Sequence, residues 1–326
     1  MKFLFFLIPF FFVSCSDLKP TKSLPKDLDS LLVVFPDSLE IIILHGNKMI
    51  KDLKFEKAMA DGAKAFRMDK TRIDARMLYA DVLNNRPSRT PDDIATAQTQ
   101  YTYIIKKQAK NTKALIGLAS TYSQQMDFEK SFKYINMALR VDPKYRDAYV
   151  MKGSNYLFLG KKDLAKSSYE TAVQQDPTFY EAYLMLGSLY QSENDKICIE
   201  YYKTAVQLQP KNPEVLFSLA YAEQIFDEPE NAIEIYRQMI RVDTSFYQAL
   251  NQIGVIKQYN YKDLDSAIYY YNSALQTEPR FVEAWHNLGT CYEGQGNVTR
   301  ALQSYAKALK YNPEFKLSRD RANALK

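Results

Sequence analysis

A pattern of about 34 residues recurs along the chain, and this repeat restricts the fold more than any other feature of the sequence. Residues 282–315 form its clearest copy, with the recurring positions at Trp285, Leu288, Gly289, Tyr292, Ala301, Tyr305, Ala308 and Pro313. The apolar residues of this copy have the spacing of two amphipathic helices, and the proline cannot continue the second one. One such copy cannot bury its apolar face alone, so stacked copies are expected to form a continuous core.

The motif of this copy resembles the tetratricopeptide repeat (TPR), with the pattern W-x2-L-G-x2-Y, then A-x3-F, then P. Tyr305 takes the place of the phenylalanine. Seven further copies are predicted upstream, at residues 39–72, 73–111, 112–145, 146–179, 180–212, 213–246 and 247–281. The first two match least well, and an insertion around residues 86–90 lengthens the turn of the second.

The resemblance implies an all-α fold, a right-handed TPR superhelix (α-solenoid) of about eight helix-turn-helix repeats. Residues 316–326 are predicted to form a C-terminal capping helix. A small residue in the first helix, such as Gly289, is expected to let the second helix approach closely. Cys198 and Cys291 are expected to be free, buried thiols, because they lie three repeats apart and a disulfide needs Cα atoms within about 7 Å.

The N-terminus has the features of a signal peptide over residues 1–14. Lys2 precedes an apolar run at residues 3–13, which is too short to cross a bilayer, and Ser14 follows it. The residues that end at Cys15 resemble the lipobox of bacterial lipoproteins, in which the cysteine becomes the first residue and carries acyl chains such as palmitate. An ordinary cleaved signal peptide is the alternative interpretation.

Residues 15–38 are predicted to be a lipid-anchored tether and an N-terminal packing segment. They contain scattered charges and prolines, which are typical of a linker, but residues 31–35 (LLVVF) are too apolar to remain in solvent. We expect this apolar run to pack on the first repeat.

Charge and composition disfavour several classes of function. The net charge of +5 is mild and no cluster of Lys and Arg stands out, so no nucleic-acid partner is predicted. His45 is expected to be a buried structural residue, and His286 alone makes neither a metal site nor a catalytic triad. The sequence therefore predicts no metal, no cofactor and no enzymatic activity.

The resemblance places the binding surface on the concave side, which the first helices of the repeats line. In the C-terminal half this surface is rich in amides and aromatics, which suit an extended peptide or a partner protein. The candidate groove residues are Phe217, Tyr221, Gln224, Asn251, Gln252, Gln258, His286 and Asn287. The alternative is that these are solvated helix faces without a ligand.

The two resemblances together imply a non-catalytic scaffold or adaptor of the bacterial cell envelope. It is expected to be anchored through Cys15 to the outer membrane and to face the periplasm, with surface exposure as an alternative. Recruitment of peptidoglycan enzymes and support of outer-membrane or secretion assembly both fit such a protein. A glycan-binding surface lipoprotein is the alternative function, which the sequence disfavours because the single tryptophan, Trp285, occupies a core position.

Overall fold

The computed structural model describes residues 27–325, and all regular structure in that range is helical. The predicted signal peptide, Cys15 and most of the tether lie outside the described residues. The chain divides into two compact units, with the boundary between Gln125 and Met126. Each unit is a series of antiparallel helical hairpins, so the predicted all-α solenoid class is confirmed for the described chain.

Unit 1 contains six described helices: α1 (Leu28–Val34), α2 (Leu39–Lys51), α3 (Phe55–Met68), α4 (Ile73–Asn85), α5 (Pro91–Lys107) and α6 (Thr112–Gln124). Unit 2 contains twelve: α7 (Phe128–Val141), α8 (Arg146–Phe158), α9 (Lys162–Gln175), α10 (Tyr180–Ser192), α11 (Cys198–Leu208), α12 (Pro213–Ile225), α13 (Pro229–Val242), α14 (Tyr247–Tyr259), α15 (Leu264–Thr277), α16 (Val282–Gly294), α17 (Val298–Tyr311) and α18 (Lys316–Ala324). Each predicted copy holds one pair of helices, and the unit boundary falls between α6 and α7, inside the copy at 112–145.

A glycine of the first helix meets a tyrosine ring of the second in several pairs. A Cβ atom added to Gly289 would lie 2.5 Å from Cε1 of Tyr305, a ring that is fully buried. The same contact recurs at Gly153 with Tyr169, Gly187 with Tyr202 and Gly254 with Tyr271. The predicted packing role of the small residue is therefore confirmed, since any side chain there would push the two helices apart.

The turn between the two helices of a pair needs one residue with a left-handed backbone conformation. The residues at this position are Leu53, Met126, Gly160, Asn194, Asp227, Lys262 and Gly296. Backbone hydrogen bonds between residues five apart close the turn, as from Lys161 N to Tyr156 O at 2.8 Å. The copy at 73–111 differs, because its predicted insertion separates α4 from α5, and a capping box between Thr90 and Asp93 starts α5 instead.

Helix α1 packs on the first repeat through one side only. Leu32 contacts the core cluster of α2 to α4, and Asp29 Oδ1 lies 3.3 Å from Nε2 of His45. Val33, Val34 and Phe35 are exposed, so only part of the apolar run packs on the first repeat as expected. A seven-residue helix has one inward stripe, so five consecutive apolar residues cannot all face the core.

His45 is buried, as expected, and both of its ring nitrogens face carboxylates. Its Nδ1 atom lies 2.5 Å from Oδ2 of Asp61 on α3, and Nε2 faces Asp29 on α1. Burial raises the pKa of the Asp61 carboxyl, although the hydrogen bond from His45 opposes that shift. The histidine thus joins three helices of unit 1.

We expect Gly289→Ala to lower the free energy of unfolding by about 1–3 kcal/mol, because the added methyl group would overlap the buried ring of Tyr305. Urea denaturation measures the change. The control is Gly294→Ala in the same helix, where the new Cβ would meet only the flexible end of Leu264 at 3.1 Å. Equal effects of the two substitutions would contradict the proposed role of the glycine–tyrosine contact.

Candidate functional site

The predicted groove residues lie on the first helices of three successive pairs of unit 2. Helix α12 carries Phe217, Tyr221 and Gln224. Helix α14 carries Asn251, Gln252 and Gln258, and helix α16 carries His286 and Asn287. The structure divides these residues into an amide network, a histidine covered by α18 and an open aromatic hollow.

Buried tyrosines of the second helices donate hydrogen bonds to polar side chains of the first helices. The hydroxyl of Tyr271 donates to Oε1 of Gln258 at 2.8 Å, and that of Tyr236 donates to Oε1 of Gln224 at 3.2 Å. Burial raises the pKa of both hydroxyls, so they stay protonated and act as donors at neutral pH. The acceptor oxygens of these two glutamines are therefore occupied within the chain.

Amides also connect α14 to α16. Nε2 of Gln258 donates to Oγ1 of Thr290 at 2.9 Å, and Nδ2 of Asn287 donates to Oδ1 of Asn251 at 3.1 Å. Asn251 and Gln258 are each only 7% exposed. These amides hold neighbouring repeats together in the structure, whereas Gln252, beside them, is half-buried.

His286 is half-buried beneath α18. Its Nδ1 atom lies 3.0 Å from Oγ of Ser318, and its ring centroid lies 5.5 Å from that of Phe315. Burial, helped by the positive charge of Arg321, lowers the pKa of the imidazole, so the ring is neutral at neutral pH. The structure thus places this candidate in the packing of the last helix.

Phe217 and Tyr221 border an open hollow of about 320 Å³ between α10 and α12. Their rings stack with centroids 6.2 Å apart, and Tyr221 is 38% exposed. The other lining residues are Ser188, Gln191, Ser192, Tyr202 and Ser218. Aromatic surface with hydroxyl and amide groups around it suits contact with a peptide.

Gln191 is a site residue that the sequence analysis missed. Its Oε1 atom accepts a hydrogen bond from the hydroxyl of Tyr202 at 2.9 Å. A signal for it exists in the sequence, because Gln191 follows Gly187 by four residues just as Gln258 follows Gly254. Residues four apart lie on the same face of a helix, so the two glutamines have equivalent positions.

The two cysteines of the described chain are buried in the repeats. Cys198 and Cys291 are free and buried, as expected, and burial raises their pKa values to about 11 and about 12. Neither is a reactive thiolate at neutral pH. Between residues 27 and 325 no group of three or more His, Cys, Asp or Glu is arranged to hold a metal ion. None of the described helices combines the length and apolarity that crossing a membrane requires.

Comparison with known proteins identifies the repeats. The tetratricopeptide repeat family matches residues 147–179, 180–212 and 282–315, so the chain contains tetratricopeptide repeats. Among similar proteins, the general transcriptional corepressor ssn6 of Schizosaccharomyces pombe is 31% identical over 30% of this chain and 9% of its own length. The BBSome complex member BBS4 homolog of Drosophila melanogaster is 27% identical over 48% of this chain and 34% of its length.

The human protein O-mannosyl-transferase TMTC3 is 25% identical over 69% of this chain, which corresponds to 23% of the transferase. The chain therefore spans about a third or less of each of these relatives. Among solved structures, the C-terminal part of a TPR repeat-containing protein from Cytophaga hutchinsonii covers 75% of this chain with a TM-score of 0.60 and 17% identity. The structure of the APC/C hetero-tetramer Cut9-Hcn1 covers 89% of this chain with a TM-score of 0.58 and 15% identity. At these identities the likeness concerns the fold alone.

We expect Gln258→Ala to lower the free energy of unfolding by about 1–3 kcal/mol, since the buried hydroxyl of Tyr271 would lose its acceptor. Chemical denaturation monitored by circular dichroism gives the value. Gln252→Ala on the same helix is the control and should stay within about 0.5 kcal/mol of the wild type. A Gln258 variant as stable as this control would show that the amide network contributes nothing to stability.

Proposed function

We propose that this chain is a non-catalytic scaffold that binds a peptide segment or a partner protein through unit 2. Tetratricopeptide repeats mediate protein and peptide binding, and three of them are matched here, all within unit 2. The observation that carries the proposal is the hollow between α10 and α12, where the stacked rings of Phe217 and Tyr221 border a space of about 320 Å³. A space of this volume is large enough for the side chains of a short peptide.

The hollow favours Phe217 and Tyr221 as the binding residues over Gln224 and the amides of α14 and α16. An amide that already bridges two helices must break that bond before it can bind a peptide backbone, and the lost bond offsets the new one. Tyr221 needs no such exchange, because its ring only stacks on Phe217 and reaches solvent. A rigid aromatic side chain also loses little conformational entropy on binding.

The surroundings of the titratable groups support a role without catalysis. Each ring nitrogen of His45 faces a carboxylate, which leaves neither nitrogen open to take a proton from a substrate. The pKa of His286 is lowered under α18, and the two described cysteines are buried. The matched transferase relative aligns with this chain over less than a quarter of its length.

The N-terminal residues support a place in the bacterial cell envelope. Ser14 and Cys15 follow the apolar run directly, in the order that a lipoprotein signal has. Lipidation of Cys15 would anchor the scaffold to the outer membrane with the repeats in the periplasm. Partners that fit this location are enzymes that remodel peptidoglycan and components of outer-membrane or secretion assembly.

We expect Tyr221→Ala to abolish capture of the partner in a crosslinking pull-down from native envelopes. The substitution removes the exposed ring of the hollow without removing a buried group, so the protein should remain folded. Tyr269→Ala is the matched control, because Tyr269 is 67% exposed on a second helix and lies outside the hollow. Partners retained by the Tyr221 variant, or lost equally from both variants, would contradict a binding site at the hollow.

We expect Cys15→Ser to abolish incorporation of labelled palmitate and to release the protein from the membrane fraction of a bacterial host. The hydroxyl of serine cannot take the acyl chain that the lipoprotein pathway transfers to sulfur, and stable anchoring needs more than one lipid chain. Cys198→Ser is the control, because that thiol is buried in the repeats. Unchanged labelling of the Cys15 variant would contradict the lipid anchor.

A further inference from the structure

A second cleft of about 590 Å³ opens between α15 and α17, above α16. Trp285, Leu288 and Tyr292 of α16 form its aromatic and apolar floor. These residues follow each other at helical spacing on a face of α16 that differs from the face of His286 and Asn287. The cleft is therefore separate from the candidate groove.

Three positively charged side chains border this floor. Arg300, Lys307 and Lys310 are exposed residues of α17 that line the cleft, and within the described chain its lining contains no Asp or Glu. The guanidinium carbon of Arg300 lies 5.5 Å from the ring centroid of Tyr292, and Nζ of Lys307 lies 6.0 Å from the ring of Trp285. The cations thus sit beside the aromatic floor, where an occupant that fills the cleft would meet them.

The preceding repeat has neither the small residue nor the three cations at the corresponding positions. Tyr270 of α15 corresponds to Ser304 of α17, and its ring packs against the core cluster of α13 and α14. The residues of α15 that correspond to the three cations are Ser266, Ser273 and Gln276. The residues that correspond to them in α9 are Leu164, Thr171 and Gln174. The small side chain and the cations therefore coincide at the last repeat, and the repeat pattern does not require either.

Trp285 lies at the edge of the core. It packs against the core cluster of α15 and α16, as its core position predicts, but it stays half-buried and lines the cleft, with its Nε1 atom donating to the carbonyl of Pro279 at 2.9 Å. A half-buried ring that lines the cleft and is fixed by its own hydrogen bond is a rigid platform for an apolar side chain. The three cations around it favour carboxylates next to that side chain.

We propose that this cleft binds an acidic peptide segment of a partner protein, with an apolar side chain on Trp285 and flanking carboxylates on Arg300, Lys307 and Lys310. The site is additional to the hollow of α10 and α12 and does not depend on it. The volume of about 590 Å³ lies within the range of ligand sites in proteins and accommodates a few residues of peptide. Its positive rim would attract such a segment most strongly at low ionic strength.

The test uses the fluorescence of Trp285, which is the single tryptophan of the chain. The purified protein is titrated with the peptide acetyl-Glu-Asp-Leu-Phe-Glu-Asp-amide and with its neutral counterpart acetyl-Gln-Asn-Leu-Phe-Gln-Asn-amide. We expect a saturable change in emission with the acidic peptide, which weakens as sodium chloride is raised. The neutral peptide should bind at least roughly fivefold more weakly, since each exposed charge pair contributes modestly.

The double variant Lys307→Gln, Lys310→Gln should weaken binding of the acidic peptide roughly two- to thirtyfold, because two charge contacts are lost. Glutamine has a helix propensity close to that of lysine, so α17 is retained, and circular dichroism checks this. The control removes the same charge at two exposed turn residues of unit 2, Lys144→Gln with Lys211→Gln, and should bind as the wild type does. Tyr221→Ala should also bind normally, which separates this site from the proposed scaffold function.

Several results would overturn the proposal. Equal binding of the two peptides would show that charge does not select the ligand, and an equal loss in the control variant would show a nonspecific effect of net charge. If the acidic peptide caused no emission change at millimolar concentration, the cleft would not be a binding site for acidic peptides. A response to maltotriose without one to the acidic peptide would indicate a sugar site instead.

Discussion

The contact between a glycine and a tyrosine ring sets the distance between the two helices of a pair, and the inner face of unit 2 depends on it. The tyrosine ring lies against the backbone at Gly187, Gly254 or Gly289. Its hydroxyl therefore has a fixed position relative to the first helix. There it meets the side chain four residues beyond the glycine: Gln191, Gln258 and Glu293 accept hydrogen bonds from Tyr202, Tyr271 and Tyr305. A core contact thereby determines which polar atoms of the first helices remain available for a ligand.

The fold could be predicted because its signals are local and repeated. Helical periodicity, a small residue opposite an aromatic one and a proline after the second helix occur together within the clearest copies. The left-handed turn residue was not predicted, since glycine occupies that position only at Gly160 and Gly296. Leu53 and Lys262 adopt the same conformation without the signal of a glycine, because the packing of both helices determines the turn between them.

The candidate site was predicted less well, because it depends on contacts between copies. The spacing of Asn251 and Gln258 places both on the inner side of α14, but their partners Asn287 and Thr290 belong to the next pair. Nothing in the spacing of one helix shows whether an amide will face solvent or a neighbouring amide. The position of His286 depends in the same way on α18, which is the only described helix after the last pair.

Recognition by a repeat protein has to come from positions that the repeat does not determine. Alanine, glycine and tyrosine recur at the core positions of several pairs, so these residues make those pairs alike and cannot distinguish one binding site from another. The hollow arises where α12 carries Phe217 and Tyr221, and the cleft arises where α17 carries Ser304 in place of a tyrosine. Both sites are formed by side chains outside the core contact. Substituting them should therefore change binding more than stability, whereas substituting the glycines should do the reverse.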